Sequence, residues 1–346
     1  MNRQGRLTVA GSIAQKPHQA GHSWQFLQYL LGFRRLGWDV LFLDRLEGAE
    51  GALGLRYLAD LMSEFDLADS WSAVLDGGGH AGLPRDRVLE HVRESDLGQM
   101  WRALELADVF AGHDRHVTIG ERIGSDDCAV PTCGLDWITT PQPVVLEQWP
   151  AAPPPARRDF TTVGRWRGAY GPIDYDGRRY GLRVHEFRKF ADLPRMTDAH
   201  FELALDIHPD ETPDLDLLGN RGWDLVDPRQ VGATASAYRG YIEGSAAEFM
   251  VAKGMYVESR SGWFSERSIC YLATGRPVLA QDTGLADLYP VGEGLLVYST
   301  LEQAVEGVEE LRSDHRRHAL ADREIAVAHF DSDKVLDRLL ARLGTT

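Results

Sequence analysis

The sequence predicts an α/β protein made of two Rossmann-like domains that face one central cleft. Three observations lead to this prediction: a length of 346 residues, apolar strands that alternate with helices in both halves, and a proline-rich break near the middle. A chain of this length is too long for one ordinary domain and suits two. In such folds, ligands bind beyond the carboxyl ends of the parallel strands.

The first half opens with a strand–helix–strand unit. The apolar stretch Leu7–Ala10 predicts a strand, apolar residues at helical spacing predict a helix over 23–36, and residues 40–44 predict a second, buried strand. Gly37 is placed to end the helix. For this strand–helix–strand unit we expect parallel strands and a right-handed crossover.

A run of prolines marks the predicted domain boundary. Residues 150–158 contain three consecutive prolines, which favour a stiff, extended connector and cannot continue a helix or a central strand. We therefore predict a first domain over 1–149, a linker over 150–158 and a second domain over 159–330. The tail over 331–346 has apolar residues on one helical face, which predicts an amphipathic helix.

The remaining elements are predicted from apolar runs, glycines and capping patterns. Ser245–Glu248 matches a helix capping box, so a helix is predicted there. The further strands are predicted over 117–119, 160–164, 255–257, 277–280 and 295–298, and the further helices over 89–106, 245–251, 269–273 and 301–311.

Composition excludes several classes of partner. A formal net charge of −15 without a basic stripe argues against nucleic acid or an anionic membrane. No apolar run reaches the roughly 18–20 residues of a membrane span, and the N-terminus lacks the features of a secretory signal. We therefore expect a cytoplasmic protein. Its three cysteines, Cys128, Cys133 and Cys270, should be free thiols, and the sequence leaves open whether the chain forms a homodimer.

The segment Ser261–Ser268 is the strongest candidate for binding a phosphate. It leads from an apolar segment into a helix, where backbone N–H groups can hold an anion. The predicted ligand contacts are Gly262, which lets the backbone approach closely, the hydroxyls of Ser265 and Ser268, and the guanidinium of Arg267. The alternative is that Ser265 only caps the helix and that the neighbouring aromatic residues are core.

The longer run Ser261–Gly284 resembles the donor-binding segment of bacterial GT-B glycosyltransferases that use nucleotide sugars. Gly275–Pro277 matches the Gly-x-Pro element of that family, and Asp282, Thr283 and Gly284 match the polar loop that touches the transferred sugar in relatives. Ala20–Ser23 and Leu36–Val40 are similar to the first strand–helix–strand unit of these enzymes. The resemblance implies a GT-B fold, an acceptor-binding first domain and a nucleotide-sugar-binding second domain.

One family feature is missing from the donor segment. Many retaining relatives carry two glutamates here, of which the second holds the ribose, and those positions correspond to Gly262 and Cys270. Glu266 and Glu248 are the candidates to replace the ribose carboxylate, although the capping box alone explains Glu248.

Two basic residues outside the segment are candidates to reach a diphosphate. They are Arg165, after the first strand of the second domain, and Lys253. For each, the alternative is a solvated surface charge.

The resemblance also suggests a catalytic base. His22 lies at the junction between the first loop and the first helix, where inverting relatives place the histidine that deprotonates the acceptor. Asp114 is the predicted orienting carboxylate, and Asp108 is its competitor. His18, His113 and His116 are the other histidines considered. Asp126 and Asp127 are predicted to lie in a loop, and neither a catalytic metal nor a cofactor is expected.

These patterns predict a hexosyltransferase that moves sugar from a nucleoside diphosphate to the hydroxyl of a small or oligomeric acceptor. The alternatives are a GT-B nucleotide-sugar epimerase and a catalytically silent accessory protein that binds the nucleotide sugar. A nicotinamide dehydrogenase is disfavoured, because no G-x-G-x-x-G follows the first strand.

Overall fold

A computed structural model describes residues 5–46, 51–76, 79–93, 115–155, 157, 159–168 and 171–344. Contacts divide the chain into two compact units. The first comprises Met1–His116, Gly232–Tyr238 and Ser332–Thr346, and the second comprises Val117–Val231 and Arg239–Asp331.

The described segments alternate strands and helices throughout. The strands are β1 Arg6–Ala10, β2 Asp39–Leu46, β3 Trp71–Leu75, β4 His80–Gly82, β5 His116–Thr118, β6 Trp137–Thr139, β7 Asp159–Arg165, β8 Ile173–Tyr175, β9 Arg178–Tyr180, β10 His200–Asp206, β11 Asp224–Leu225, β12 Ala247–Met250, β13 Val278–Gln281 and β14 Leu295–Tyr298. The helices are α1 Ala20–Arg35, α2 Gly51–Glu64, α3 Arg85–Arg93, α4 Arg183–Phe187, α5 Leu193–Met196, α6 Thr212–Arg221, α7 Pro228–Val231, α8 Ala235–Gly244, α9 Gly254–Glu258, α10 Glu266–Thr274, α11 Leu301–Ser313, α12 His315–Ile325 and α13 Ser332–Leu343.

The first unit is built on a four-stranded sheet in the order β1-β2-β3-β4. The first three strands are parallel, and β4 is antiparallel to β3. Helix α13 packs on α1 in this unit. A Cβ on Gly32 of α1 would lie 2.5 Å from a methyl carbon of Leu336, so the missing side chain permits this close packing.

The second unit is built on a six-stranded parallel sheet in the order β11-β10-β7-β12-β13-β14. Its first strand in sequence, β7, lies in the middle, and the chain then builds outward on one side before it crosses to the other. The direction therefore reverses between β7 and β12, which is the topological switch point of a doubly wound fold.

Aromatic side chains fill one face of this sheet. Phe249 of β12 lies at the centre of the cluster, with Tyr298 stacked on it at 5.2 Å and Phe187 edge-on at 6.1 Å. Trp223 and Phe201 complete the group, and each is nearly or fully buried. This packing fixes β12 against helix α4, and the end of β12 and the start of α4 lie at the candidate site described below.

Most predicted elements of both units are confirmed. β1, α1 and β2 coincide with the predicted first unit, and β13, α11 and α13 lie where strands and helices were predicted. The helix predicted over 269–273 is the later part of α10, and it ends at Gly275 in a left-handed conformation, φ 73°. Of the helix predicted over 89–106, the described part belongs to α3, and residues 94–106 lie outside the described residues.

The predicted helix over 245–251 and the predicted strand over 255–257 are wrong. Residues 247–250 form strand β12, and residues 254–258 form helix α9. The capping-box pattern misleads because β12 is fully buried and pairs with β7 on one side and β13 on the other. The hydroxyl of Ser245 accepts a hydrogen bond from Thr161 at 2.7 Å instead of capping a helix.

The contacts do not divide the chain at the predicted linker over 150–158. The division falls after His116, and residues 117–155 belong to the second unit. Backbone hydrogen bonds explain this difference: Val144 N donates to Phe330 O at 2.7 Å, and Ala152 N donates to Thr274 O at 3.0 Å. The tail predicted as a separate element packs as α13 in the first unit. Among the described helices, none combines the length and apolar character required to cross a membrane.

One buried carboxylate in the second unit lacks hydrogen bonds. Asp322 of α12 is fully buried, and neither of its oxygens has a hydrogen-bond partner among the described residues. Burial raises the pKa of Asp322 well above the usual carboxyl range, and the positive charge of Arg276 offsets this only in part. The folded protein therefore retains a proton at Asp322 that the unfolded chain releases above about pH 4.

We expect Asp322→Asn to increase the free energy of unfolding more at pH 7.5 than at pH 4.5, by about 2 kcal/mol. In the native sequence, stability falls as pH rises from about 4 towards the raised pKa, because only the unfolded state ionises there. Asparagine removes this loss. Urea unfolding at both pH values measures the difference, with the exposed Asp337→Asn of α13 as control. An equal effect of Asp322→Asn at both pH values would contradict the assignment.

Candidate functional site

The carboxyl ends of β7 and β12 bring basic residues together at the switch point of the second sheet. Arg165 is the last residue of β7 and is exposed, and Lys253 follows β12 as the residue before helix α9. These two residues were the predicted diphosphate contacts outside the donor segment. The structure places both at the edge of the sheet where doubly wound folds bind ligands.

A third cation, Arg183, completes this cluster. Arg183 is the first residue of α4, after the hairpin formed by β8 and β9. Its Nε donates to the carbonyl of Val251 at 3.1 Å, and its Nη1 donates to the carbonyl of Arg165 at 3.0 Å. These two bonds hold the guanidinium across the ends of β7 and β12. We call Arg165, Arg183 and Lys253 the cation cluster.

Gly164 provides the space for the guanidinium groups. A Cβ on Gly164 would lie 2.3 Å from Nη1 of Arg183 and 3.5 Å from Nη1 of Arg267. Any side chain would therefore displace Arg183 from the end of β7.

Positive charges lie close together in the cation cluster and repel one another. Burial lowers the pKa of Arg183 to about 10, with a further contribution from the charge of Arg267. Burial also lowers the pKa of Lys253, and the charges of Arg183 and Arg165 add to this effect. Among the described residues, no carboxylate lies within ion-pair distance of Arg183 or Lys253. A bound anion would relieve this repulsion.

Arg267, a predicted phosphate contact, is held inside the second unit. Its Nε lies 2.5 Å from Oε1 of Glu248, and its Nη1 donates to the carbonyl of Val163 at 2.6 Å. The side chain of Arg267 is 6% exposed and that of Glu248 is fully buried. Arg267 therefore joins helix α10 to strands β12 and β7, beside the cation cluster.

The two predicted serine contacts are also buried. Ser265 caps helix α10, and its Oγ accepts from the backbone N–H of Arg267 at 3.3 Å, as the alternative interpretation proposed. Ser268 is fully buried, and its Oγ has no hydrogen-bond partner among the described residues. Neither hydroxyl is presented at the surface.

The predicted sugar loop is ordered by its own hydrogen bonds. Oδ1 of Asp282 accepts from the backbone N–H groups of Gly284 and Leu285, each at 2.8 Å. Thr283 donates from Oγ1 to the carbonyl of Trp263 at 2.7 Å, and its own carbonyl accepts from Gly262 N at 2.8 Å. The loop and the start of the donor segment therefore form one unit.

The position of the Arg122 side chain explains why residues 262 and 284 are glycines. Gly262 and Gly284 have φ angles of 69° and 97°, which side-chain-bearing residues rarely adopt. A Cβ on either residue would lie less than 3.0 Å from the side chain of Arg122, and Arg122 forms ion pairs with Asp127 and Asp287. In this structure the close approach at both glycines is made by Arg122.

A pocket of about 480 Å³ opens next to the cation cluster. Arg165 lines it, together with residues that follow β10 and the residues at the start of α7. Leu205, Ile207 and Pro228 supply apolar surface, and Asp206, Glu211 and Asp227 supply carboxylates. Arg165 therefore belongs both to the pocket and to the cation cluster.

In the first unit, the predicted base His22 is the third residue of α1. Its Nε2 lies 2.9 Å from Oγ of Ser12, and its ring meets the ring of Phe26 edge-on at 5.1 Å. Nδ1 of His18, in the same loop, lies 3.2 Å from the carbonyl of Ala233. Sequence reasoning missed Ser12, because nothing in the local pattern connects it with His22.

Three predicted participants lie outside the described residues: Asp114, Asp108 and His113. The predicted role of Asp114 as the orienting carboxylate therefore stays a prediction. Within the described part of the chain, no group of three or more histidine, cysteine, aspartate or glutamate residues could hold a metal ion.

Comparison with solved structures identifies the fold. A glycosyltransferase from Rickettsia africae superimposes with a TM-score of 0.55 at 10% identity, covering 99% of this chain and 98% of that chain. HepE from Anabaena, in complex with UDP-glucose, superimposes with a TM-score of 0.58 at 11% identity. The match covers 99% of this chain and 100% of HepE. Sucrose-phosphate synthase from Thermosynechococcus elongatus superimposes with a TM-score of 0.50 at 12% identity. The match covers 98% of this chain and 99% of that synthase.

No protein-family model and no curated protein sequence matches the chain. The structural likenesses show that the chain has the GT-B fold found in glycosyltransferases, as the sequence predicted.

We expect Arg267→Met to lower the free energy of unfolding by about 3–5 kcal/mol, because it leaves the Glu248 carboxylate buried without a cation. Glu248→Gln combined with Arg267→Met should recover most of this loss, since no buried charge remains. Urea unfolding at pH 7 measures both effects, with the exposed Arg316→Met as control. A double variant as unstable as Arg267→Met would show that the loss comes from packing alone.

Proposed function

We propose that the chain is a glycosyltransferase that moves a sugar from a nucleoside diphosphate to an acceptor hydroxyl. The observation that carries this proposal is the cation cluster at the switch point of the second unit. A diphosphate brings negative charge to Arg183 and Lys253, which have no carboxylate partner among the described residues. The side chains would then neutralise the diphosphate without a metal ion.

The adjoining pocket supports binding of the nucleoside half of the donor. Its volume of about 480 Å³ exceeds the lower limit of about 300 Å³ for small-molecule sites. Its lining combines apolar side chains with charged groups of both signs, which can contact a base and the hydroxyls of a ribose. HepE, one of the similar structures, binds UDP and UDP-glucose, which favours a nucleotide sugar as donor here.

The chemistry requires a base and a stabilised leaving group. The acceptor oxygen attacks the anomeric carbon, the bond from that carbon to the diphosphate oxygen breaks, and the nucleoside diphosphate leaves with the electron pair. His22 takes the acceptor proton, and the cation cluster stabilises the charge that develops on the diphosphate. His22 is half-buried at the start of α1, which suits a group that must contact both protein and substrate.

Of the two candidate ribose carboxylates, the structure favours Glu266. Glu248 is fully buried in its ion pair with Arg267. Glu266 is the first residue of α10 and is half-buried, and its charge acts on both Arg183 and Tyr256. We therefore propose that Glu266 accepts hydrogen bonds from the ribose.

A thermal-shift experiment with UDP, GDP and dTDP tests the donor site. At saturation, at least one nucleotide should raise the melting temperature by about 5 °C, because it binds only the folded state. Arg183→Met and Lys253→Met should each reduce this shift, and the exposed Arg316→Met and Lys334→Met should leave it unchanged. The absence of a shift with all three nucleotides would refute the donor site.

Replacing His22 tests the catalytic step. We expect His22→Gln to lower kcat for acceptor glycosylation by about 10²- to 10⁴-fold while the nucleotide-induced thermal shift persists. His80→Gln, in the same unit, is the control. Full transfer by His22→Gln would place the base elsewhere.

Nucleotide binding without turnover in the unmodified protein would favour the accessory protein, and turnover without an acceptor would favour the epimerase.

A further inference from the structure

We propose that Ser12 is a positioning residue for His22. Its hydroxyl accepts from Nε2, which orients the imidazole and favours the tautomer whose unprotonated Nδ1 takes the proton of the acceptor. This inference rests on the proposed function, in which His22 is the base. It concerns a residue that no sequence pattern indicated.

The contact itself is well defined. Oγ of Ser12 lies 2.9 Å from Nε2 of His22, which is a normal hydrogen-bond distance. The ring of Phe26, one helical turn further along α1, meets the imidazole at an interplanar angle of 81°. The imidazole is therefore held by a hydroxyl at one nitrogen and by an aromatic ring.

The position of Ser12 is set by the fold and does not depend on His22. Asp44, in strand β2, is 4% exposed and binds the residues that follow Ser12. Its Oδ2 accepts from the backbone N–H of Ala14 at 2.7 Å, and its Oδ1 accepts from Nε2 of Gln15 at 3.0 Å. These bonds tie the loop after Ser12 to the adjacent strand.

Two glycines, Gly11 and Gly54, allow close packing on either side of Ser12. Gly11 N donates to the carbonyl of Leu43 at 2.9 Å, and a Cβ on Gly11 would lie 2.6 Å from the ring of Phe26 and 2.8 Å from that of Phe42. A Cβ on Gly54 would lie 2.1 Å from the carbonyl oxygen of Ala14. Ser12 thus sits between two anchored residues, and its hydroxyl is preorganised for His22.

A hydroxyl suits this role for a chemical reason. A neutral imidazole has one nitrogen that donates and one that accepts, and a hydrogen bond to one of them decides the role of the other. To act as the base, His22 must carry its proton on Nε2 and keep Nδ1 unprotonated, so Oγ of Ser12 accepts from Nε2. The proton of the acceptor then binds Nδ1, the bond from Nε2 to Oγ persists, and the ring need not move during the step.

A second serine–histidine pair in the first unit provides a matched control. Oγ of Ser72 lies 3.1 Å from Nδ1 of His80 and donates to the carbonyl of Leu83 at 2.9 Å. Because its single proton is used by that carbonyl, the hydroxyl must accept from His80. Removing the Ser72 hydroxyl therefore deletes a comparable bond at a histidine that the proposed reaction does not use.

The test combines a structural and a kinetic measurement on the full chain. Nitrogen-15 NMR of the labelled histidine rings reports the tautomer and the pKa of His22, with its signals assigned by their loss in His22→Gln. The pH profile of kcat and KM is then measured for the native chain and for Ser12→Ala, Ser12→Thr and Ser72→Ala.

We expect Ser12→Ala to change the tautomer ratio of His22, to shift its pKa and to lower kcat about tenfold with little change in KM for the donor. Ser12→Thr, which keeps the hydroxyl, should restore the His22 signals and most of the rate. Ser72→Ala should leave both unchanged.

Unchanged His22 signals in Ser12→Ala would overturn the proposal, as would an unchanged kcat alongside altered signals. The NMR measurement does not depend on catalysis. If the chain transfers no sugar, altered His22 signals still establish the contact while the transferase proposal fails, so the two failures can be told apart.

Discussion

The ion pair between Glu248 and Arg267 is the interaction on which the geometry of the second unit depends. The carboxylate lies in the central strand β12, and the guanidinium comes from the first turn of α10 and reaches the carbonyl of Val163 in β7. One arginine therefore fixes a helix and two strands that meet at the switch point. Gly164 follows Val163 directly, so the place where Arg183 approaches β7 is set by the same contact.

This ion pair determines position more than it adds stability. Two charges taken out of water lose much of their solvation, and a well-formed buried pair often contributes little net free energy compared with apolar side chains of the same size. It places a paired cation next to Arg183 and Lys253, which have no ion-pair partner among the described residues. The charge of Arg267 still acts on Arg183, and the charges of Glu248 and Glu266 offset it in part.

The sequence predicted elements that depend on local signals and missed those that depend on distant partners. Gly275 and the apolar run after it placed the end of α10 and strand β13 correctly, because a left-handed glycine and a buried strand are both encoded locally. Strand β12 was missed because its identity comes from pairing with β7 and β13. Arg183 was missed because a hairpin separates it from Arg165, and Ser12 because its position is fixed through Asp44.

The path of the chain also constrains how the molecule is made. The first unit contains residues from the start of the sequence and helix α13 near its end, which packs on α1. During synthesis, the surface of α1 around Gly32 therefore stays without its partner helix α13 until more than 300 further residues have been translated, at roughly 5–20 residues per second. The second unit needs no such late segment, so on the ribosome it can finish folding before the unit that begins the chain.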